Sequence, residues 1–387
     1  MTQISAHINY IGVDDHDLDL FESQYRIPEG ISYNSYLIVD DKVAVMDTVD
    51  ASKKDQWLQQ LQVGLQGRRP DYLVMHHVEP DHAGAVASLL ERYPALQVVA
   101  TAKALQMLPQ FFEGLDLTGR SLAVKEGDTL PLGSHELQFF AAPMVHWPEV
   151  MVSYEQQEKV LFSADAFGKF GALDVADDDW ACEGRRYYFN ICGKYGAQVQ
   201  MLLKKLGGLD IQAICPLHGP VLNEDLPYYL GLYQTWSSYG VETEGVFIAY
   251  ASIHGGTAAA ARQLAEMLRA KGVAKVSLSD LSRDDQAEAV EDAFRMDRMV
   301  LAASSYDAGV FPPMQEFLHH LQAKNFQKRK VALIENGSWA PSAGRVMKEA
   351  LQAMKEIEIV EPMVTIRSRM KKSDLPALEA LADALLK

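Results

Sequence analysis

Cysteine is scarce in this chain: Cys182, Cys192 and Cys215 are the only three among 387 residues, and no two are spaced as Cys-x-x-Cys. That excludes a disulfide framework, and equally an iron site built from four cysteines within the chain. No stretch approaches the run of about 18 apolar residues that a membrane-spanning helix needs. The first twenty residues lack a basic start followed by an apolar run, so a cytoplasmic protein without a leader is expected. Basic residues are in deficit, with 36 Lys and Arg against 52 Asp and Glu, for a net charge of −16. Nucleic acid and anionic membrane would repel such a chain, which argues against either as its main partner. Hydrophobic residues, by contrast, make up 48% of the chain, ample for globular packing. At this length one ordinary core is exceeded and two domains are expected.

One short stretch concentrates the metal-binding residue types. His76-His77-Val78-Glu79-Pro80-Asp81-His82-Ala83-Gly84 puts five potential ligands within seven positions. Before it, Asp71-Tyr72-Leu73-Val74-Met75 is short, apolar and preceded by Pro70, the pattern of a buried strand. After it, residues 83–92 carry apolar side chains at helical spacing. The ligands are therefore expected in the turn between a strand and a helix, where two rigid elements hold several side chains against one point. Imidazole suits zinc, copper and iron alike, but the alternation of Glu79 and Asp81 with His77 and His82 adds carboxylates, which favour harder ions. It also offers each of two adjacent metals one nitrogen and one oxygen donor. A lone histidine here would more simply cap the helix or bond to backbone; two histidines and two acids at this density point to metal.

The surrounding chain reads as sheet covered by helices. Tyr36-Leu37-Ile38-Val39 and Val43-Ala44-Val45-Met46 form a hairpin through Asp40-Asp41-Lys42, with Asp47 following as a further candidate at the sheet edge. Residues 53–65 form an amphipathic helix with Trp57, Leu58, Leu61 and Leu65 on one side. A strand at 96–100, a helix at 102–112 and short strands between 121 and 163 follow. Three more apolar strands each end in a ligand and a turn: His146 after 139–145, Asp165 after 160–164, and His218 after 211–217. Taken singly, each reads as a satisfied core or surface group. Taken with the first cluster, they supply His77, Glu79 and His146 for one metal and Asp81, His82 and His218 for another, leaving Asp165 to bridge. Two imidazoles and a terminal carboxylate per metal is the ligand set of non-haem iron sites that keep positions open for a gas.

His77-x-Glu79-x-Asp81-His82, followed by His146, Asp165 and His218, resembles the metal-binding pattern of flavodiiron proteins of the A-type, whose first domain has the metallo-β-lactamase fold. Hydrolytic zinc relatives of that fold usually carry His where this chain has Glu79. The resemblance covers nearly the whole chain. It implies a four-layer αββα domain holding two non-haem irons on these seven residues. His76, His7, His16 and His135 match no position of the motif and read as structural or solvated; Trp147 and Phe167 read as pocket walls.

Around Gly240-Val241-Glu242-Thr243-Glu244-Gly245 the composition turns polar and strand-breaking, which divides the chain into residues 1–243 and 244–387. Beyond it a buried strand, 246–250, leads into the small-residue loop Ser252-Ile253-His254-Gly255-Gly256-Thr257 and a helix ending at Lys271, closed by Gly272. Strand, small-residue loop, helix N-terminus is the recipe for a phosphate site, because free backbone N–H groups and the helix dipole converge there. Strands at 275–278, 299–303 and 331–334 alternate with helices, giving a doubly wound parallel sheet. Ligands gather at the C-terminal strand ends of such sheets. Those ends carry Ser304-Ser305-Tyr306-Asp307-Ala308-Gly309 and Ser338-Trp339, where an indole and a phenol can flank a planar ring. This half resembles flavodoxin and implies FMN, with the phosphate on Ser252, His254, Gly255, Gly256 and Thr257. The resemblance carries the flavin loops onto Ser304, Ser305, Tyr306, Asp307, Gly309, Ser338 and Trp339. His254 and Ser305 depart from the residues common at those places.

The family resemblance implies a terminal reductase for a diatomic gas. Reduced FMN and two ferrous ions hold four electrons, enough to take O2 to two waters; two electrons couple two NO to N2O and water. Of the two gases, O2 is the slightly favoured expectation. The resemblance further implies a head-to-tail homodimer, or a dimer of dimers, bringing the FMN of one subunit to the di-iron site of the other. Lacking a cysteine cluster, the chain needs an outside donor of the rubredoxin kind, with the basic clusters Arg367, Arg369, Lys371, Lys372 and Lys328, Arg329, Lys330 as candidate docking charges. Competing readings are an NO-selective reductase, an oxidase taking electrons from a deazaflavin coenzyme, a zinc hydrolase fused to a flavodoxin, and a pure electron-transfer flavoprotein.

Overall fold

The computed structural model describes residues 2–176 and 179–387. Compactness divides the chain into two units, Met1–Tyr188 with Ala197–Gln234, and Phe189–Gly196 with Thr235–Lys387. The division read from composition, 243/244, lies inside the second unit. Phe189–Gly196 joins that unit through its own packing: Phe189 stacks on Phe294 with ring centroids 4.2 Å apart, and the Gly196 N–H donates to the Tyr239 hydroxyl at 3.2 Å.

The first unit is built on two sheets. One runs in the order Thr2–Gln3, Ile8–Tyr10, Tyr36–Val39, Val43–Met46, Tyr72–Val74, Gln97–Thr101, Ser121–Val124. The other runs Thr129–Pro131, Glu136–Ala141, Met151–Glu155, Val160–Phe162, Ala213–Cys215. Ile38, Met46, Val74 and Val99 of the first share one core with Leu137, Phe139, Met151 and Phe162 of the second, so the sheets pack face to face. Helix Lys54–Leu65 buries Trp57, Leu61 and Leu65, as the amphipathic pattern predicts. The hairpin Tyr36–Val39/Val43–Met46 also forms with the predicted limits and antiparallel register.

Register then decides where the polar residues emerge. Val43–Met46, Tyr72–Val74 and Gln97–Thr101 are mutually parallel, and Val160–Phe162 runs parallel to Ala213–Cys215. Their C-terminal ends therefore lie at one rim of the sandwich. The two sheets are tied there by the Met151 N–H donating to the His76 carbonyl at 3.1 Å. One local expectation is corrected: Asp81 and His82 stand in a short helix, Pro80–Ala83, and a second helix, Val86–Arg92, follows. Pro80 starts the first helix, since its fixed φ suits a first helical position and its missing N–H costs nothing there. The break follows at Gly84, where a Cβ would meet the Ala51 backbone nitrogen at 2.4 Å.

In the second unit the sheet order is Val276–Asp280, Thr243–Ala251, Met296–Tyr306, Arg329–Asn336, Ile357–Ile366, with every one of these pairs parallel. Numbered along the chain this is the order 2-1-3-4-5 of the flavodoxin-like fold. Helices Gly256–Ala270 and Leu375–Leu385 share a core with it through Leu264, Leu268, Leu378 and Leu381. The Arg329 guanidinium donates to the carbonyls of Met296 (2.7 Å), Tyr239 (2.9 Å) and Gly240 (2.9 Å), and its side chain is buried. It therefore cannot be a docking charge, which corrects the expectation for that one member of the cluster 328–330; Lys328 is exposed. Among the described residues no helix is long and apolar enough to cross a membrane.

Candidate functional site

The rim of the first unit gathers all seven residues of the predicted cluster. His77, Glu79, His146 and Asp165 form one group of potential ligands, and Asp81, His82 and His218 another. In the first, Glu79 Oε2 lies 3.0 Å from His77 Nε2 and 3.2 Å from His146 Nε2. In the second, Asp81 Oδ2 lies 3.3 Å from His82 Nε2 and 3.2 Å from His218 Nε2. Asp165 stands between them. Its Oδ2 approaches His146 Nε2 at 3.1 Å and His77 Nε2 at 3.4 Å, while its Oδ1 approaches His82 Nε2 at 3.2 Å and His218 Nε2 at 3.8 Å.

Two of the imidazoles are held from behind. Glu149 Oε1 accepts from His77 Nδ1 at 2.7 Å, and the Ser32 carbonyl accepts from His218 Nδ1 at 2.7 Å. Those bonds leave each Nε2 with a lone pair aimed into the site. The His218 loop is clamped by Asn34, whose amide donates to the carbonyls of Pro216 (2.8 Å) and Gly219 (2.7 Å). The Leu217 N–H donates to the Ala164 carbonyl at 2.9 Å, joining that loop to the one bearing Asp165. Phe21, Tyr33 and Tyr187 ring His218, with centroids 5.3, 6.1 and 5.6 Å away. Trp147 meets His77 edge-on at 5.1 Å, and Phe167 stacks on Tyr233 at 4.1 Å. Glu149, Ser32 and the aromatic ring escaped the sequence reading; only the i, i+3 spacing of Glu149 from His146 hinted at the first.

These residues fit metal ions. Buried atoms with no hydrogen-bond partner point into the site: both Asp81 oxygens, Asp165 Oδ1, His82 Nε2 and His218 Nε2. Facing lone pairs of imidazole and carboxylate need a positive charge between them, and donor separations near 3 Å are those of groups sharing an ion with bonds of about 2.1 Å. Two divalent ions outweigh the three carboxylates by one charge.

Without metal the cluster holds protons instead. Burial opposes charge on His146, but hydrogen bonds to Asp165 and Glu79 outweigh it and raise its pKa to about 9. Burial likewise opposes charge on Glu79, and the two imidazoles beside it win, bringing it down to about 2. His77 is raised well above the ordinary value, burial opposing and Asp165, Glu149 and Glu79 prevailing. A raised histidine pKa stabilises the metal-free fold fully below its unfolded value, and that contribution is lost as pH rises through about 9 for His146. Metal must displace the same proton. Affinity of the metal-free protein for Fe(II) is therefore expected to rise at least about tenfold per pH unit between pH 6 and 8. Titrations across that range at constant ionic strength check this; a flat profile contradicts it. Replacing Glu149 with Gln, which frees the His77 ring from its anionic partner, is expected to weaken metal binding by about 10–100-fold, read by chelator competition.

The remaining histidines fall outside the cluster. His76 is buried, its Nδ1 on Asp47 Oδ2 at 2.5 Å and its Nε2 on Ser153 Oγ at 2.7 Å. Asp47 is thereby spent on His76 and does not reach the site. His16 pairs with Asp174 at 2.9 Å near the surface.

In the second unit, strands Thr243–Ala251, Met296–Tyr306 and Arg329–Asn336 deliver the predicted loops to one sheet edge, at the point where strand order reverses. Helix Gly256–Ala270 starts there behind Gly255 at φ 81°, and no side chain caps it. Ser252 Oγ is buried without a hydrogen-bond partner. Thr257 Oγ1 bonds Ser304 Oγ at 2.9 Å. A Cβ on Gly256 would meet the Ser368 carbonyl at 2.1 Å, so the loop leaves no room for a side chain. Trp339 is 89% exposed and Tyr306 46%, the latter meeting Phe311 edge-on at 5.7 Å, so both rings present surface to solvent. Asp307 (φ 46°) and Gly309 lie in the turn that closes Tyr306 onto Gly309. His254 is exposed and Ser338 Oγ accepts from Ser368 Oγ at 2.7 Å. Ser305 faces elsewhere: its hydroxyl accepts from the N–H groups of Ser342 (2.8 Å) and Ala343 (3.1 Å), at the start of helix Ala343–Gln352. The free amides, the orphaned hydroxyl and the exposed rings fit a phosphate-bearing planar ligand.

Fold and site together define a metallo-β-lactamase-like domain with a two-metal ligand set, followed by a flavodoxin-like domain. The sequence model described as ODP family beta lactamase matches residues 31–219. The nitric oxide reductase of Moorella thermoacetica is 30% identical over 382 residues, which cover 96% of this chain and 94% of that protein. Putative diflavin flavoprotein A 2 of Synechocystis sp. is 30% identical over 393 residues, covering 98% of this chain but only 66% of that protein. The solved rubredoxin oxygen:oxidoreductase from the anaerobe Desulfovibrio gigas superposes with a TM-score of 0.92 at 25% identity, covering 99% of this chain and 97% of that one. The chain belongs to the flavodiiron protein family.

Proposed function

We propose that this chain reduces O2, NO or both at two non-haem irons, using electrons that pass through FMN. The observation that carries the reading is Asp165, whose two oxygens serve two separate imidazole–carboxylate groups. In this reading His77, Glu79 and His146 hold one iron, Asp81, His82 and His218 the other, and residues 244–387 hold FMN. Bound iron supplies open positions for a diatomic gas, and with reduced FMN the four electrons for O2 to two waters, or two for each pair of NO.

The protein's own part is orientation and exclusion of water. Glu149 and Ser32 take up Nδ1 of His77 and His218, which leaves Nε2 of each ring aimed inward as the atom that would bind metal. Phe21, Tyr33 and Tyr187 replace solvent beside His218 with ring edges and faces. Glu79 in place of a histidine supplies an anionic oxygen, which favours iron over the zinc of hydrolases. Anaerobic stopped-flow mixing of the reduced protein with each gas tests the proposal. Flavin and iron reoxidised by at least one of them is the expected result; failure with both would refute it, and zinc content with ester or thioester turnover would replace it.

The names of relatives support a rubredoxin-type donor, since one is a rubredoxin oxygen:oxidoreductase and others are flavorubredoxins. Arg367, Arg369, Lys371 and Lys372 are exposed, and Arg367 reaches the Trp339 carbonyl at 3.5 Å, which supports docking of the donor next to the proposed flavin loops. Reversing Arg369 and Lys371 to Glu is expected to lower the second-order rate with an acidic donor by about tenfold or more at low salt and to flatten its salt dependence. Stopped-flow at several ionic strengths checks this. A head-to-tail homodimer and a cytoplasmic location complete the proposal.

A further inference from the structure

His7 and His135, which the sequence presents as structural or solvated, stand together with Glu158 as a third group of potential ligands among the described residues. Glu158 Oε1 lies 3.1 Å from His7 Nδ1 and 3.2 Å from His135 Nε2, and the two rings have centroids 4.5 Å apart. The cluster is remote from the iron ligands by topology. His135 directly precedes strand Glu136–Ala141, which runs on toward His146, and Glu158 precedes Val160–Phe162, which runs on toward Asp165. Asp40 ends strand Tyr36–Val39, antiparallel to Val43–Met46, and so sits at the same far rim.

The proton inventory makes this more than a polar turn. Asp40 Oδ2 accepts from the His135 N–H (2.8 Å), the Ser134 hydroxyl (2.8 Å) and His135 Nδ1 (2.6 Å). With its proton on Nδ1, a neutral His135 aims the lone pair of Nε2 at the carboxylate of Glu158, two acceptors face to face. A cation between them resolves the conflict: a second proton on the ring, which burial opposes but the hydrogen bonds to Asp40 and Glu158 favour, or a metal ion that displaces it. The carboxylate behind the imidazole is the partner that metal-bound histidines ordinarily have. Donors around a tetrahedral zinc with bonds of about 2.0–2.1 Å are roughly 3.3 Å apart, close to both observed separations. Glu158 Oε2 is a further buried oxygen with no hydrogen-bond partner. The His7 side chain is 47% exposed, which leaves a route for an ion from solvent.

We propose that His7, His135 and Glu158 form a second metal site, for a single divalent cation of the zinc type, oriented by Asp40 and independent of the di-iron centre. Two imidazoles and one carboxylate leave one position of a tetrahedral ion to water. His7 belongs to the start of strand Ile8–Tyr10 in the first sheet, whereas His135 and Glu158 belong to turns of the second. A bound ion therefore clips the N-terminal hairpin across the sandwich, and its role is structural.

The test uses the full-length protein with iron and flavin in place. Zinc chloride is titrated by calorimetry, iron is assayed before and after, and cobalt(II) is added separately for its visible absorption. The expected result is one zinc per chain taken up without loss of iron, a tetrahedral cobalt spectrum, and a thermal transition that rises with zinc. His7→Gln and Glu158→Gln should each weaken uptake at least about tenfold and abolish the cobalt bands, and Asp40→Asn should weaken it by about 10–100-fold. Gas reduction by His7→Gln should match the parent. Because His7 is half-exposed in a loop, that variant folds even if Glu158→Gln does not. Equal zinc uptake by parent and His7→Gln, or none in the parent beyond displaced iron, overturns the proposal.

Discussion

Asp165→Ala is expected to abolish gas reduction, with the rate falling more than about 100-fold and iron content dropping below half, while the flavin spectrum stays unchanged. The argument is geometric. Among the described residues Asp165 is the one carboxylate within 3.4 Å of imidazoles from both ligand groups, through a different oxygen for each. Its negative charge is also favoured: burial opposes it, but the imidazoles of His82, His77 and His146 depress its pKa well below the ordinary value. Losing an outer partner such as Glu149 costs about 10–100-fold, so losing the shared carboxylate itself should cost more. Removal also leaves His77 and His82 facing each other, with ring centroids 5.7 Å apart and no anion between them. Iron assay, visible spectrum and oxygen-electrode rates on one preparation check this together. Wild-type iron content with wild-type turnover would remove Asp165 from the site.

Gly256→Ala is expected to give protein that keeps its iron and loses its flavin, with affinity for FMN reduced by at least about 100-fold. At this position a methyl group would sit 2.1 Å from the Ser368 carbonyl. That carbonyl cannot easily retreat, because the Asn336 side-chain amide donates to it at 2.9 Å. The strain has to be relieved by moving the loop 252–257, on whose free backbone N–H groups the phosphate proposal depends. A shift of even one ångström disperses several weak donors at once. Desalting followed by a visible spectrum reads flavin retention, and iron assay separates the effect from general misfolding. Full retention of flavin after desalting would show that the phosphate is bound elsewhere.

Much of the candidate site could be read from local pattern. His77, Glu79, Asp81 and His82 are neighbours in sequence, and His146, Asp165 and His218 each follow an apolar strand, so residue type and periodicity alone marked them. Glu149 and Ser32 were not legible, because they act by orienting rings that belong to other elements. The basic run 328–330 shows the converse failure. Its charge is visible in the sequence, but the guanidinium of Arg329, the middle residue, is turned inward onto the backbone carbonyls of Met296, Tyr239 and Gly240.

By itself, then, the amino-acid sequence determined which side chains are candidates for metal chemistry, which loops end the parallel strands, and that two domains of different architecture follow one another. Those properties are local, written in residue type and in periods of two and 3.6. Only the tertiary structure decided that Glu149 and Ser32 hold the rings of His77 and His218 from behind, that Ser305 caps a helix, and that His7, His135 and Glu158 meet at the far rim. Those outcomes depend on strand register and on the packing of one sheet against another, which bring together residues more than a hundred positions apart and leave no periodic trace in the chain.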